Sequence, residues 1–393
     1  MTQTHTADAA TEALSDSEMK QRLRSPLKLA ENQPSRWQDY PGDGVDFFTA
    51  ANAILEADAA DGARQDVGIA RLDSWAFGPA PDATAALATI PEPGREHRMV
   101  PLRAHAFSQL CQRVGVPVSY VKKLPGRLQI ALLNHGIQNE SSDNANLLRL
   151  ADGECRAVLT DKYAPFDNHV VVDVLSETLQ KAGMLHDVRV RSVSFGPTAS
   201  MRLTIPGSDV VLDNPNKVGD IVEVGLDLLN GELGNRSVSV GPVTWRLVCL
   251  NGMRRADRSA VTRISHVGDT ERLRESFRDG VPSALAAAQG MGDTMQQALD
   301  VMVDDLLNEF DGLASAFGLH KAEVKDVAAD VLAERQIALP SDTSDWADAF
   351  ARAGEVTAFD VANGITHVAQ SRPTDRRLEM EEGAYAYLQR RTR

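Results

Sequence analysis

The sequence predicts an α+β protein: a central antiparallel sheet of about six strands with helices, followed by a helical C-terminal domain. Three observations carry that expectation. Two apolar runs are joined through Asp152-Gly153, a strong two-residue hairpin signal. Two more flank Gly196-Pro197, and two long β-branched runs, IVEVGLDLL and RSVSVGPVTWRLVCL, follow them. From about residue 271 the apolar spacing becomes helical, as in ERLRESFRDGV, MQQALDVMVDDLLNEFDGLASAF and AEVKDVAADVLAER, with more helix in 344–369.

The elements follow in order. Residues 1–35 are polar and aperiodic, and are expected to be a disordered tail. Residues 36–96 mix Trp37, Phe47, Phe48, Trp75 and Phe77 with Ala/Asp/Pro-rich stretches. They read as a small appendage ending in the linker-like GPAPDATAALATIPEPG. Residues 97–270 form the α+β core and 271–393 the helical domain. HAFSQLCQRVGV places Phe107, Leu110, Cys111 and Val114 on one helical face. PVSYVKKLPGRLQIALLNHGI reads as two short helices broken at Pro125-Gly126. Asp167 is placed to cap a helix over 168–182, with Val171, Val174, Leu175, Leu179 and Ala182 on one face and Gly183 after its end.

Composition bounds the function. The net charge of −14 argues against indiscriminate nucleic-acid binding. The charge is uneven, however. Residues 1–100 hold 9 basic against 16 acidic side chains, residues 281–393 hold 10 against 19, and residues 101–280 hold 22 against 20. Within 97–139 there are six basic residues (Arg98, Arg103, Arg113, Lys122, Lys123, Arg127) and no acidic one. Acidic flanks around a neutral-to-basic centre leave room for a polyanion. No apolar run approaches the roughly 18–20 residues of a membrane span. The polar N-terminus is no signal peptide, so a cytoplasmic location is expected.

No catalytic or metal motif is present. The sequence contains no GxxxxGK[ST], HExxH or GxSxG, and no Cys/His cluster with zinc spacing. Neither a cofactor nor a metal is expected. In the strand around Trp245, the set Trp245, Leu247, Cys249 alternates with Arg246, Val248, Leu250, so both faces are largely apolar and the strand is expected to be central. A thiol there is inert, and the nine histidines supply no pattern for a partner base. Asn251-Gly252 reads as the turn ending that strand.

Arginine placement is the most informative pattern. With Asp152-Gly153 as the loop, Arg149 faces Arg156. With Gly196-Pro197 as the loop, Arg191 faces Arg202 and Arg189 shares their side. The opposite face holds Val188, Val190, Met201, Leu203 and Ile205. Like charges directly opposite destabilise a sheet, so something negative must lie nearby. Glu223 and Asp227, on one face of IVEVGLDLL, are internal candidates. The alternative is a phosphate, which the planar guanidinium recognises well.

Several motifs together resemble a known family. CRAVLTDKYAPFDN (155–168) is similar to the "RAxLSDRYxxxDN" stretch of the phage/plasmid-like proteins catalogued as domain of unknown function 932. VGLDLLNGELG (224–234) resembles that family's "GxxxxNSExG", with Gly231 where Ser is usual. WRLVCLNGM (245–253) and ISHVG (264–268) match "RLVCxNGM" and "xxHxG". The resemblance covers roughly residues 98–270 and singles out Asp161, Asp167, Asn168, Asn230, Glu232, Asn251 and Gly252. It implies a protein of mobile elements without implying an activity. The order of elements is also loosely like that of single-strand annealing proteins.

Three functions follow. The first is a non-enzymatic protein that binds, and perhaps anneals, single-stranded DNA. Its expected contacts are Arg149, Arg156, Lys162, Arg189, Arg191, Arg202, Arg254 and Arg255, with Tyr163 stacking on a base. The second is a homo-oligomeric scaffold or host-factor binder, suggested by the acidic flanks and long amphipathic helices. The third is an enzyme of unrecognised type using Asp161, Asp167, Asn168, Asn230 and Glu232.

Overall fold

The computed structural model describes residues 14–69, 71–90, 98–139, 146–205, 208–214, 220–246, 251–255, 260–342 and 345–393. The chain opens with α1 (Asp16–Arg22), β1 (Arg36–Asp39), α2 (Phe47–Ala60) and β2 (Arg64–Ile69). Then come β3 (Trp75–Pro79), β4 (Ala85–Thr89), β5 (Met99–Pro101), α3 (Ala104–Arg113), α4 (Val118–Val121) and α5 (Gly126–Asn139). The hairpin β6 (Asn146–Ala151) and β7 (Glu154–Thr160) precedes α6 (Asn168–Lys181). Next are β8 (Arg189–Phe195), β9 (Ala199–Thr204), β10 (Val210–Leu212), β11 (Asp220–Asn230) and β12 (Val238–Arg246). Two short strands, β13 (Asn251–Arg254) and β14 (Thr262–Ile264), lead into α7 (Thr270–Leu299). The chain finishes with α8 (Leu306–Phe317), α9 (Lys321–Ala333), α10 (Trp346–Ala353), α11 (Ala358–Ala369) and α12 (Thr374–Arg391). This is the expected α+β architecture with a helical C-terminal region.

The chain divides into two compact units. One comprises the described residues up to Gln33 with Ala59–Ala164; the other comprises Pro34–Asp58 with Pro165–Arg393. In sequence, the first unit is therefore largely an insertion within the second. The stretch 97–270, read above as one core, contributes to both.

In the first unit, two three-stranded sheets, β2-β6-β7 and β3-β4-β5, share a core with α3 and α5. Phe77, Phe107, Leu110, Cys111, Leu133 and Leu148 are buried in it. The helical stripe of α3 and the break before α5 fall where the sequence places them. Two expectations are corrected. GPAPDATAALATIPEPG is not wholly a linker, because Ala85, Ala86 and Leu87 are buried in β4. The tail over 1–35 is ordered from residue 14 on: Ser15 and Glu18 form a capping box that starts α1, and Leu27 is buried. Residues 1–13 lie outside the described residues.

In the second unit, an eight-stranded antiparallel sheet runs β1-β8-β9-β11-β12-β13, with β10 paired to β11 and β14 to β12. One face is apolar, with Val190, Met201, Leu203, Val222, Val224, Leu226 and Leu228 all buried. Gly225 on β11 faces Thr204 on the neighbouring β9. A Cβ there would lie 1.9 Å from the Leu203 carbonyl oxygen. The long helix α7 packs along β12 and β11, and α11 packs between α9 and α12. No helix of the described residues is long and apolar enough to cross a membrane.

Both hairpins carry a β-bulge, and each bulge falls on an arginine. Asp152 (φ 52°) and Gly153 (φ 80°) make the expected left-handed turn. The register then shifts by one: Leu150 faces Cys155, but Arg149 faces Ala157, leaving Arg156 as the extra residue. In the second hairpin Val190 faces Leu203, but Ser192 faces Arg202, leaving Arg191 as the extra residue. Neither expected Arg–Arg pair forms, because each bulge takes one arginine out of the ladder.

Asn251-Gly252 also differs from expectation. It does not end a strand but begins β13, with Asn251 facing Arg246 and Gly252 facing Trp245. The glycine is required by packing. A Cβ at 252 would meet an Arg202 guanidinium nitrogen at 2.9 Å and the Trp245 ring at 3.2 Å. Cys249, with the strand end expected over 247–250, lies outside the described residues.

Candidate nucleic-acid interface

The sheet arginines do not form the exposed basic face that the sequence suggested. Arg149, Arg156, Arg191, Arg202 and Arg254 are all buried. The sheet turns them inward, onto carboxylates. In the second unit the Arg191 Nε donates to Glu223 at 2.7 Å. Arg202 donates through two nitrogens to Glu381, one bond at 2.9 Å, and through Nε to Asp227 at 3.3 Å. Arg254 pairs with Asp227 and, at 2.6 Å, with Glu382. Arg246 binds Asp220 at 2.7 Å. Arg377 on α12 reaches Glu381 at 3.0 Å, and Arg377 and Arg202 both pack on the Trp37 ring, 4.2 and 4.7 Å from its centre. Glu223 and Asp227 are thus the internal partners of Arg191 and Arg202.

The electrostatics of this network are set by mutual compensation. Burial works against the charge on Glu381, but Arg202 and Arg377 overcome it and hold the carboxyl below its ordinary range. Burial likewise opposes the charge on Arg202, and Glu381 and Asp227 fix it in place. A fully compensated site has no positive charge left to offer a phosphate.

The first unit repeats the theme. Arg149 binds Asp66 at 3.0 Å and lies 5.9 Å from the Tyr163 ring centre. Arg156 and Arg103 converge on Asp61, at 3.9 and 2.6 Å. Tyr163 is a packing residue, 9% exposed. Asp161 and Lys162 are exposed beside it. Arg189 is half-buried, and its guanidinium donates to the carbonyls of His186, Asp187 and Val188. Arg255 is half-buried.

The motif residues of the second unit do come together, as a latch. The Asn168 backbone N–H, at the start of α6, donates to Glu232 at 2.9 Å. Its side chain donates to Asp58 and accepts from Asn230, both at 2.9 Å. Asn230 also donates to the Phe166 carbonyl at 2.8 Å. Asp167 occupies the N-cap, yet its side chain makes no capping bond; Glu232 takes that role from β11's end. Gly231 is demanded by the same corner, because a Cβ would lie 2.6 Å from the Arg236 nitrogen. The arrangement joins strand to helix; Asn168, Asn230 and Glu232 are buried in it. Among the described residues no group of His, Cys, Asp and Glu is arranged to hold a metal.

A different surface remains available. Tyr120 is 58% exposed and is followed by exposed Lys122, Lys123 and Arg127. The Gly126 N–H donates to the Ser25 carbonyl and the Arg127 N–H to the Leu23 carbonyl, which sets exposed Arg24 beside them. Leu128 adds exposed apolar surface at 47%. None of these four cations forms an ion pair among the described residues. Lys122, Lys123 and Arg127 belong to the acid-free stretch 97–139; Arg24 lies outside it and carried no signal in the sequence.

No family model, curated protein or solved structure matches the chain.

Proposed function

We propose that the chain is a non-enzymatic protein of a phage or plasmid that binds single-stranded DNA in the cytoplasm, through the surface around Tyr120. The observation that carries this reading is an exposed aromatic ring among four cations that form no ion pair among the described residues. Binding of single strands combines stacking on aromatic rings with an electrostatic track for the backbone, and this patch has both parts. The motif resemblance to phage/plasmid-like proteins supports the same reading. The buried arginines of the sheet then serve stability, and the acidic remainder of the chain confines binding to one surface.

Fluorescence anisotropy with a labelled single-stranded oligonucleotide, at low and at physiological salt, tests this. Wild-type binding is expected to weaken steeply with salt. The K122Q/K123Q/R127Q variant should bind more weakly and lose about 2 from the log–log salt slope, at ~0.7 per phosphate contact. Folded wild-type protein that fails to bind at low salt would remove DNA binding and leave a scaffold or host-factor binder. An unchanged slope in the variant would remove this site.

A further inference from the structure

The helical region of the second unit contains a cleft that the DNA-binding reading does not use. It opens between α8 and α12, with a volume of about 260 Å³. A single water needs roughly 10–15 Å³ by the same measure. The apolar gap between the sheet and α6, about 20 Å³, is no larger than a single water; the α8–α12 cleft has room for a small organic molecule.

Its lining is chemically specific. Glu309 and Gly312 come from one face of α8, and Tyr387, Arg390 and Arg391 from the last turns of α12. Phe317 closes one side, its ring edge-on to Tyr387 at 5.6 Å. The Tyr387 side chain belongs to a residue only 1% exposed, lines the cleft, and its hydroxyl has no hydrogen-bond partner. A buried hydroxyl without a partner costs stability unless something supplies the bond. Burial first, and second an interaction with the Glu309 carboxylate, raise the Tyr387 hydroxyl above the ordinary tyrosine range, so it stays protonated at physiological pH with Glu309 as the acceptor a ligand would replace. Arg391 sits 3.7 Å from Glu309, and its Nε makes no hydrogen bond. Arg390 is exposed at the rim. Two guanidinium groups and one carboxylate leave a local charge of about +1.

We propose that this cleft binds a small organic oxyanion, a carboxylate or a phosphate monoester, that carries an adjacent hydroxyl. Arg391 and Arg390 take the anion, Tyr387 donates a hydrogen bond to it, and Glu309 accepts from the ligand's hydroxyl. Phe317 shields one side from water. The guanidinium fork suits both oxyanions, so the two sources are separated by experiment.

Calorimetric titration of the full chain with lactate and with glycerol 3-phosphate tests the site. One of the two is expected to bind saturably at one equivalent, and the one that binds identifies the anion. Tyr387→Phe removes only the hydroxyl and should weaken binding about tenfold. Arg391→Gln should weaken it further. K122Q/K123Q, in the other unit, should bind as wild type, which keeps this result independent of DNA binding. Absence of saturable binding by either probe to folded protein at millimolar concentration overturns the proposal. So does equal affinity in wild type, Tyr387→Phe and Arg391→Gln.

Discussion

Arg202 and Glu381 form a two-pronged ion pair in which both side chains are completely buried, 179 residues apart in the chain. Arg377 and Asp227 complete the compensation. Glu381→Gln leaves two buried guanidinium groups short of a counter-charge, and is expected to cost about 3–5 kcal/mol. Asp73→Asn, which breaks the exposed pair with Arg71, should leave stability unchanged within error. Urea unfolding of the two variants checks the contrast.

Acid should unfold the protein through these carboxylates. Burial opposes the charge on Glu381, but Arg202 and Arg377 lower its pKa; Glu323 is lowered chiefly by its hydrogen bonds from Arg376. A carboxyl depressed in the folded state binds fewer protons than the unfolded chain. Its stabilisation is therefore complete above the unfolded value of about 4.3 and drains away as pH falls through the folded value. Denaturant midpoints are expected to be flat near neutrality and to fall below about pH 4.3. Arg376→Gln should make that fall shallower, by returning Glu323 toward its ordinary range.

The thiols should be silent in the native state. Burial pushes Cys155 up to about 12 and Cys111 up to about 11. The chain has three cysteines, so a thiol reagent at neutral pH should consume at most one equivalent before unfolding and three after it. A second equivalent consumed by folded protein would contradict the burial of these two.

The latch at the start of α6 should behave as a cap. Glu232→Ala removes the acceptor for the Asn168 N–H, and is expected to cost about 1 kcal/mol, as loss of a helix cap does. Thermal unfolding measures it. Asn230→Ala should cost at least as much, since it strips bonds from both Asn168 and the Phe166 carbonyl.

Tyr120→Ala should reduce single-strand affinity by about 1–3 kcal/mol without altering the salt slope, because stacking releases no counterions. Anisotropy at two salt concentrations separates this from the lysine variants, which should change the slope.

Much of the sheet was legible because its signals are local. Period-two alternation put Glu223 and Asp227 on the face that meets Arg191 and Arg202, one or two strands away. The remaining counter-charges were not legible. Glu382 lies 128 residues from Arg254, and Asp39 lies 338 from Arg377; both pairings depend on how α12 docks. Amphipathic spacing reveals which face of a helix is buried, not which cation it will meet. The bulges at Arg156 and Arg191 escaped because one inserted residue leaves the alternation on either side intact. Asn251-Gly252 was misread because its glycine answers to the Trp245 ring and the Arg202 guanidinium rather than to a turn. The surface at Tyr120 was visible as a charge imbalance, but exposure is a property of packing. Nothing in the sequence separated Lys122 and Lys123 from the buried arginines.

The order of synthesis gives the Arg202 network a further meaning. The chain emerges from its amino end, so Trp37 and Arg202 are made long before α12 delivers Arg377 and Glu381. Until then Arg202 has Asp227 but not Glu381 to pair with. A chain that stops before Glu381 is therefore expected to leave Arg202 with Asp227 alone, and to be cleared by cellular proteases faster than the full chain.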